Sequence, residues 1–253
     1  MALVTSTLRQ LLGLTIMIVA VALFSVICVF LLPWRTLRIR VCNVFGHIVG
    51  RTILAVTGTH LTGHDRATMG TSMPAIYISN HTSPIDIFLG IWLSPLGVCG
   101  VAKKEVIWYP FFGQLYLVSG HLRIDRSNRG SAIAALAKTA DLVREHGLGI
   151  WIWPEGTRSK DGRLRAFKKG FAHLALATGL PVVPVVVSGA HRIWRKNSFL
   201  IHPGEVNVKV LPAIDTSRWT LETLDEHVAE VHRIVNEALP EAQRGEELAA
   251  AAK

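Results

Sequence analysis

Asn80-His81-Thr82-Ser83-Pro84-Ile85-Asp86 is the stretch from which the rest of the chain can be read. Before it stands Ala75-Ile76-Tyr77-Ile78-Ser79, a short run of β-formers, and after it Ile87-Phe88-Leu89-Gly90-Ile91-Trp92-Leu93, an apolar run of helical character. A histidine thus sits where a strand ends, on the loop that feeds a helix. A neutral imidazole accepts a proton at one ring nitrogen when a carboxylate holds the N–H of the other, and His81 and Asp86 supply such a pair. A helix opening near Ser83 or Pro84 turns the carboxylate back under the ring, and Pro84 is tolerated there because a first-turn N–H has no helical partner. The same residues also suit a plain loop histidine beside a helix-start aspartate, and spacing alone does not choose between the two.

The strand-loop-helix pattern repeats from residue 75 onward. Apolar strands are expected at about 75–79, 98–102, 121–125, 149–153, 182–188 and 205–211, separated by helical stretches at about 84–94, 107–118, 131–145 and 167–178. Such alternation predicts an α/β domain with a mixed, largely parallel sheet flanked by helices. Ile133, Leu136, Ala140 and Val143 share one helix face, with Gly147 and Gly149 closing the run. Leu221, Leu224, Val228, Val231 and Val235 repeat the spacing in a final helix that stops at Pro240, which leaves His227 and His232 on the surface. The Ala- and Glu-rich residues 241–253 are expected to be disordered. His60 to Met73, rich in Gly, Thr and Asp, is expected as a loop or edge hairpin. His60 and His64 are four apart, but Gly63 between them and the absence of helical patterning argue against a metal pair.

Three further blocks follow the first in order: Gly120-His121-Leu122-Arg123-Ile124-Asp125-Arg126, Trp153-Pro154-Glu155-Gly156-Thr157-Arg158-Ser159, and Leu180-Pro181-Val182-Val183-Pro184-Val185. Together with Asn-His-x-x-x-x-Asp at a strand end, they resemble the four motifs of the glycerolipid acyltransferase family over roughly residues 70 to 215. The resemblance implies catalysis by His81 as general base, oriented by Asp86, without a covalent acyl-enzyme. It implies substrate binding by Asn80, Lys103, Lys104, Arg126, Glu155, Gly156, Thr157 and Arg158. Arg126 and Arg158 suit phosphate because a guanidinium offers a fork of donors. Glu155 suits the positioning of an arginine or of the glycerol hydroxyls, and Lys103 or Lys104 an oxyanion or a phosphate. Ser83 beside His81 is a nucleophile candidate, yet a two-residue offset fits an in-line hydrogen bond poorly and no Gly-x-Ser-x-Gly elbow is present. Two positions depart from the family pattern: Arg123 where an aromatic is common and Trp153 where Phe is common.

The implied reaction carries a fatty acyl group from acyl-CoA or acyl-carrier protein to the free hydroxyl of a lysophospholipid. Lysophosphatidic acid, giving phosphatidic acid, is the leading acceptor. An ornithine-lipid precursor or a headgroup-bearing lysophospholipid is the alternative acceptor, and a noncatalytic lipid-binding protein of the same fold is the rival of another class. No cofactor or metal is required for the step. An apolar groove must receive the acyl chain, and Val106-Ile107-Trp108-Tyr109-Pro110-Phe111-Phe112 is a candidate wall.

The composition of the whole chain agrees with a lipid substrate. Half of the 253 residues are apolar, the formal net charge is +9, and the mean hydropathy is +0.36. A basic balance suits nucleic acid, an anionic membrane surface or phosphorylated substrates. With no nucleic-acid motif present, membrane lipids are the expected partner and nucleic acid is not. No charged residue lies between Arg9 and Arg35, and the run Leu11 to Leu32 is long enough to cross a bilayer. It exceeds the apolar core of a signal peptide, so residues 1–57 are expected to form an uncleaved membrane anchor, spanning the bilayer or lying in one leaflet, followed by a helix that suits either an amphipathic position on the membrane or ordinary packing on the domain. Arg35, Arg38, Arg40 and Arg51 then place the acyltransferase domain, residues 58–240, on the cytoplasmic face, with arginines reaching the headgroups. Cys28, Cys42 and Cys99 show neither disulfide nor metal spacing.

Overall fold

The long apolar run near the N-terminus folds as one helix. In the computed structural model, which describes residues 2–63, 69, 74–124 and 129–246, α1 spans Ala2–Phe30 and α2 spans Arg35–Thr57. The helix begins well before Leu11 and stops short of Pro33, whose ring disfavours helical backbone in the residue before it. The two helices form an antiparallel hairpin, with Phe24 edge-on to Phe45 at 5.3 Å and Cys28 Sγ 3.6 Å from Cys42 Sγ. Both are long and apolar enough to cross a membrane. Leu3, Val4, Leu8, Leu11, Leu12, Leu14, Val19, Leu23, Val26, Val29 and Phe30 all face outward from α1, far more apolar surface than water tolerates in one patch.

The hairpin lies against the rest of the protein along its length. The buried Ser6 hydroxyl donates to Phe199 O at 3.0 Å and accepts the Ile201 N–H at 2.8 Å, and Gln10 also donates to Phe199 O. On α2, Gly46 and Gly50 lie one turn apart and face α3 (Ile85–Leu93). A Cβ at Gly46 would stand 2.5 Å from Ile91 O, and one at Gly50 2.6 Å from Phe88 O, so the close approach of the two helices depends on both glycines. Arg35 and Arg38 donate to Gly120 O and Val118 O, which for Arg38 is the packed-helix reading rather than the headgroup one. Val118 ends α4 (Phe112–Val118), where carbonyls lack helical partners and positive charge is favoured.

Seven strands form one sheet in the order β1-β7-β6-β2-β5-β3-β4. They are β1 (Thr59–Gly63), β2 (Ile76–Ser79), β3 (Val98–Lys103), β4 (Leu122–Ile124), β5 (Gly149–Ile152), β6 (Val182–Ser188) and β7 (Gly204–Val210). Every pairing is parallel except β6 with β7. The central strands read as unbroken apolar runs because both faces are covered. Ile76 and Ile78 pack on one side with Phe171 of α6 (Gly170–Thr178) and Val231 of α8 (Leu224–Ala238), and Val143 of α5 (Arg129–His146) joins the same core. Tyr77 packs on the other side with Leu89 of α3. The mixed, largely parallel α/β sheet is therefore as the alternation predicts.

Several details differ from the sequence expectation. Residues 59–63 are an edge strand in parallel register with β7, Thr59 opposite Gly204, rather than a loop or hairpin. His60 lies on that strand and is exposed, while His64 lies outside the described residues. The expected helix at 107–118 divides into a 3₁₀ turn, Lys104–Trp108, and α4. Pro110 cannot donate to a preceding turn, Phe111 adopts φ +64°, and Gly113 closes so tightly on the 3₁₀ turn that a Cβ would stand 2.3 Å from Ile107 O. In α8 the apolar stripe is wide enough to bury His232, edge-on to Phe167 at 4.9 Å, and His227 stacks on Trp219 at 4.6 Å, so neither is a free surface histidine. Leu221 precedes the helix and is exposed. Of the tail expected to be disordered from 241, residues 241–246 are held in place: the buried Gln243 accepts the Leu164 and Gly189 N–H groups at 2.9 Å each, and its amide donates to Gly162 O at 3.2 Å; residues 247–253 lie outside the described residues.

Candidate active site

Because β2, β5 and β6 run parallel, their carboxyl ends open on one side of the sheet, and the first and third sequence blocks meet there, while the fourth runs into β6 and along it beside β2. Asn80 is the residue by which β2 stays attached to β6. Its Nδ2 donates to Val187 O and its Oδ1 accepts the Val187 N–H, both at 2.8 Å, extending the ladder by one side chain. Its amide is buried and both ends are engaged within the sheet.

His81 follows and leaves the sheet. Its main chain is held by the third block on both sides, since its N–H donates to Glu155 Oε1 at 2.6 Å and its carbonyl accepts the Ser159 N–H at 2.9 Å. The ring lies on Trp153, with centroids 4.8 Å apart and planes 24° apart. Nδ1 is 3.1 Å from Asp86 Oδ2, and the same oxygen accepts the N–H groups of Thr82 at 2.6 Å and Ser83 at 2.7 Å. Asp86 is buried in the first turn of α3. An oxygen already accepting two backbone donors takes the imidazole as a third, so Nδ1 carries the hydrogen and Nε2 keeps its lone pair for a substrate proton. The turn anticipated at Ser83-Pro84 produces this arrangement.

Ser83 does not face the imidazole as a nucleophile. Its hydroxyl donates to Trp194 O at 2.7 Å and accepts the Ile85 N–H at 3.1 Å, which fixes the helix start to the loop after α7 (Ala190–Ile193).

Glu155 is buried beside the base, with the Arg165 main chain and charge also acting on its carboxyl. Burial pushes its carboxyl up to about 8; the His81 N–H opposes the rise and the Asp86 charge adds to it. Glu155 therefore holds its proton at neutral pH. Gly156 adopts φ +71°, Thr157 is exposed and Arg158 half-exposed. Lys103, at the end of β3, sits 5.6 Å over the Tyr109 ring, and Lys104 opens the 3₁₀ turn; both are exposed on the same side of the sheet as His81, two strands from β2. Arg126 lies outside the described residues.

Behind the stacked ring is an apolar cavity of about 180 Å³, whose lining includes Phe45, Ile91, Val101, Phe112, Leu115 and Trp153. Gly90 makes room for both tryptophans of β5 and its exit, since a Cβ there would stand 3.0 Å from the Trp153 ring and 3.1 Å from Trp151 Nε1. His121 also lines this cavity. Its Nδ1 accepts the Gly100 N–H at 3.1 Å, and burial holds its pKa down to about 4, so the wall carries no charge at that point. Of the candidate acyl wall, Val106 and Phe112 line the cavity, whereas Trp108, Tyr109 and Phe111 face outward. Sequence reading passed over Trp153 as a ring platform, and over Lys168 and Lys196, which lie beside the third block. A cation two residues after Trp194 carries no motif signal of its own.

Residues 60–188, just over half of the chain, match the family model described as Acyltransferase. The chain is 46% identical over 229 residues to a 1-acyl-sn-glycerol-3-phosphate acyltransferase of Limnanthes douglasii, covering 90% of this chain and 80% of the relative. It is 34% identical over 197 residues to the protein of that name from Escherichia coli, covering 78% and 79%. The crystal structure of the 1-acyl-sn-glycerophosphate acyltransferase of Thermotoga maritima superposes with a TM-score of 0.73 at 23% identity, over 94% of this chain and 98% of that one, which establishes the common fold. The chain is a member of the acyltransferase family.

Proposed function

We propose that this protein transfers a fatty acyl group from acyl-CoA or acyl-carrier protein to the free hydroxyl of lysophosphatidic acid, forming phosphatidic acid. The observation that carries the reading is the His81–Asp86 pair at the carboxyl end of the central strand, 3.1 Å apart, together with relatives that bear the corresponding name. His81 Nε2 takes the hydroxyl proton as the oxygen attacks the thioester carbonyl, because a free alkoxide is too costly at neutral pH. Asp86 holds the ring and stabilises the imidazolium. Collapse of the tetrahedral intermediate expels the thiolate, which recovers the proton from His81, so the step balances without a cofactor. The apolar cavity behind Trp153 suits part of an acyl chain, each buried methylene contributing about 0.8 kcal/mol.

The α1–α2 hairpin supports work at a membrane. Its docking through Ser6 of α1 on Phe199 and Ile201, and through Gly46 and Gly50 of α2 on α3, favours a hairpin lying beside the catalytic domain over an anchor standing away from it. The excess of arginines after α1 supports a placement of the domain on the cytoplasmic face.

The test is product identification. Protein in detergent receives palmitoyl-CoA with lysophosphatidic acid, a lyso-ornithine lipid and lysophosphatidylcholine in competition. Phosphatidic acid as the dominant product supports the reading; acylation of another lysolipid in its place overturns the acceptor assignment.

A further inference from the structure

The loop after β5 is tied to His81 at two points, Glu155 Oε1 on the His81 N–H and the Ser159 N–H on the His81 carbonyl. Gly156, Thr157 and Arg158 therefore arch between those two fixings on the His81 main chain. Two lysines from other parts of the chain reach this arch. Lys196 Nζ donates to Arg158 O at 2.8 Å and to Thr157 Oγ1 at 3.3 Å. Its loop is locked to the loop of His81 two residues earlier, where the Ser83 hydroxyl meets Trp194 O. Lys168 precedes α6, and its main-chain N–H donates to Pro154 O at 2.9 Å. Its side chain lies across Gly156, where a Cβ would stand 3.0 Å from Cε and 3.1 Å from Nζ.

This gathering of charge is uncompensated. Among the described residues, none of Arg158, Lys168 and Lys196 takes part in an ion pair. The carboxyl built into the arch, Glu155, is buried, with its Oε1 on the His81 N–H, and keeps its proton at neutral pH. Asp161 Oδ1, just beyond the arch, is engaged by the Ser159 hydroxyl and the Arg163 N–H. Cations brought to one short loop repel each other unless an anion joins them. A guanidinium fork with two point-charge ammonium groups matches the several oxygens of a phosphate.

We propose that Lys168 and Lys196 complete, with Arg158, a three-cation cradle that binds a substrate phosphate beside His81. The inference rests on the acyltransferase reading and extends it to two binding residues from outside the sequence motifs. Two sources offer the same chemistry, the phosphomonoester of the lysolipid acceptor and the phosphates of a coenzyme A donor.

The experiment compares the full-length protein with Lys168→Gln, Lys196→Gln, the double variant and Lys196→Arg, all checked for folding by circular dichroism. Steady-state rates are measured with lysophosphatidic acid or monoacylglycerol as acceptor and with palmitoyl-CoA or palmitoyl-pantetheine as donor. Each single Gln variant is expected to raise one KM roughly tenfold or more, with kcat within a few-fold of wild type and the Arg variant restoring much of the loss. A change in the KM for lysophosphatidic acid, with monoacylglycerol turnover unaffected, assigns the acceptor phosphate. A change in the KM for palmitoyl-CoA alone, with palmitoyl-pantetheine unaffected, assigns the donor phosphates. Unchanged KM values in a folded double variant overturn the cradle, as does a fall in kcat alone, which marks a purely structural role. If the wild type transfers nothing to lysophosphatidic acid, it is the acyltransferase assignment that fails. Calorimetric titration with a short-chain lysophosphatidic acid and with coenzyme A then decides the cradle separately: binding weakened in the double variant supports it, and binding that is equal to wild type, or absent in both, overturns it.

Discussion

Glu155 Oε1 accepts the main-chain N–H of His81 at 2.6 Å, joining the third sequence block to the candidate base through a carboxyl that burial keeps protonated up to about pH 8. The ordinary value for the group is 4.5, so between about 4.5 and 8 the folded protein retains a proton that the unfolded chain has released. Stability therefore declines as pH rises through this window and levels off above it. Glu155→Gln keeps an acceptor oxygen for the His81 N–H but has nothing to titrate. The variant is expected to show a flatter profile of urea midpoint against pH, gaining on wild type toward pH 8, with activity at neutral pH within a few-fold. Parallel profiles would count against a protonated Glu155.

Asp86→Asn tests the orientation of the base. One oxygen now accepts three donors, and an amide presents an N–H₂ to some of them, which favours the wrong imidazole tautomer. The expected loss in kcat is on the order of 10³–10⁴-fold, the scale found when the aspartate of a serine-protease triad is replaced in this way. The ratio of wild-type to variant rates at saturating substrate reads it directly.

Ser83→Ala separates an anchoring serine from a nucleophilic one. Its hydroxyl bridges Trp194 O and the Ile85 N–H, so removal costs about 1–3 kcal/mol of stability and leaves chemistry intact. Thermal unfolding and initial rates on one preparation give both quantities. A variant that folds but is inactive would contradict this placement.

Gly50→Ala addresses the seat of the hairpin. The added Cβ would stand 2.6 Å from Phe88 O and 2.7 Å from Trp92 Cβ, so α2 and α3 must separate. Overpacking of this kind costs about 1–3 kcal/mol. A lowered unfolding midpoint in detergent is expected, whereas Gly170→Ala, at a helical glycine where no atom lies within 4 Å of the new Cβ, gives the effect of the substitution without overpacking.

The sequence reader reaches the central strands and the His81–Asp86 turn because both rest on local signals: unbroken apolar runs for doubly covered strands, and a proline compatible with the first turn of a helix. The edge strand at Thr59–Gly63 carries no such signal, being half-exposed and made mostly of Thr and Gly. The break at Pro110 is legible afterwards from the residue alone, but the tight return at Gly113 depends on the tertiary path. His232 and Gln243 are polar residues buried by contacts from distant segments, which periodicity does not encode. Within the site, Asn80 and Glu155 are turned toward protein groups, Val187 and His81, although the family resemblance groups them with the substrate-binding set. Lys168 and Lys196 come to the site only through folding of the loops around α6 and α7.

The proposed role of His81 as the base for acyl transfer to a lysolipid hydroxyl is open to direct test. Release of free thiol from palmitoyl-CoA, with and without lysophosphatidic acid, compares wild type with His81→Ala in detergent. Acceptor-dependent release by wild type is expected, falling at least 10²–10⁴-fold in the variant, the range attributed to general-base catalysis; undiminished release by a folded His81→Ala protein would rule out this base.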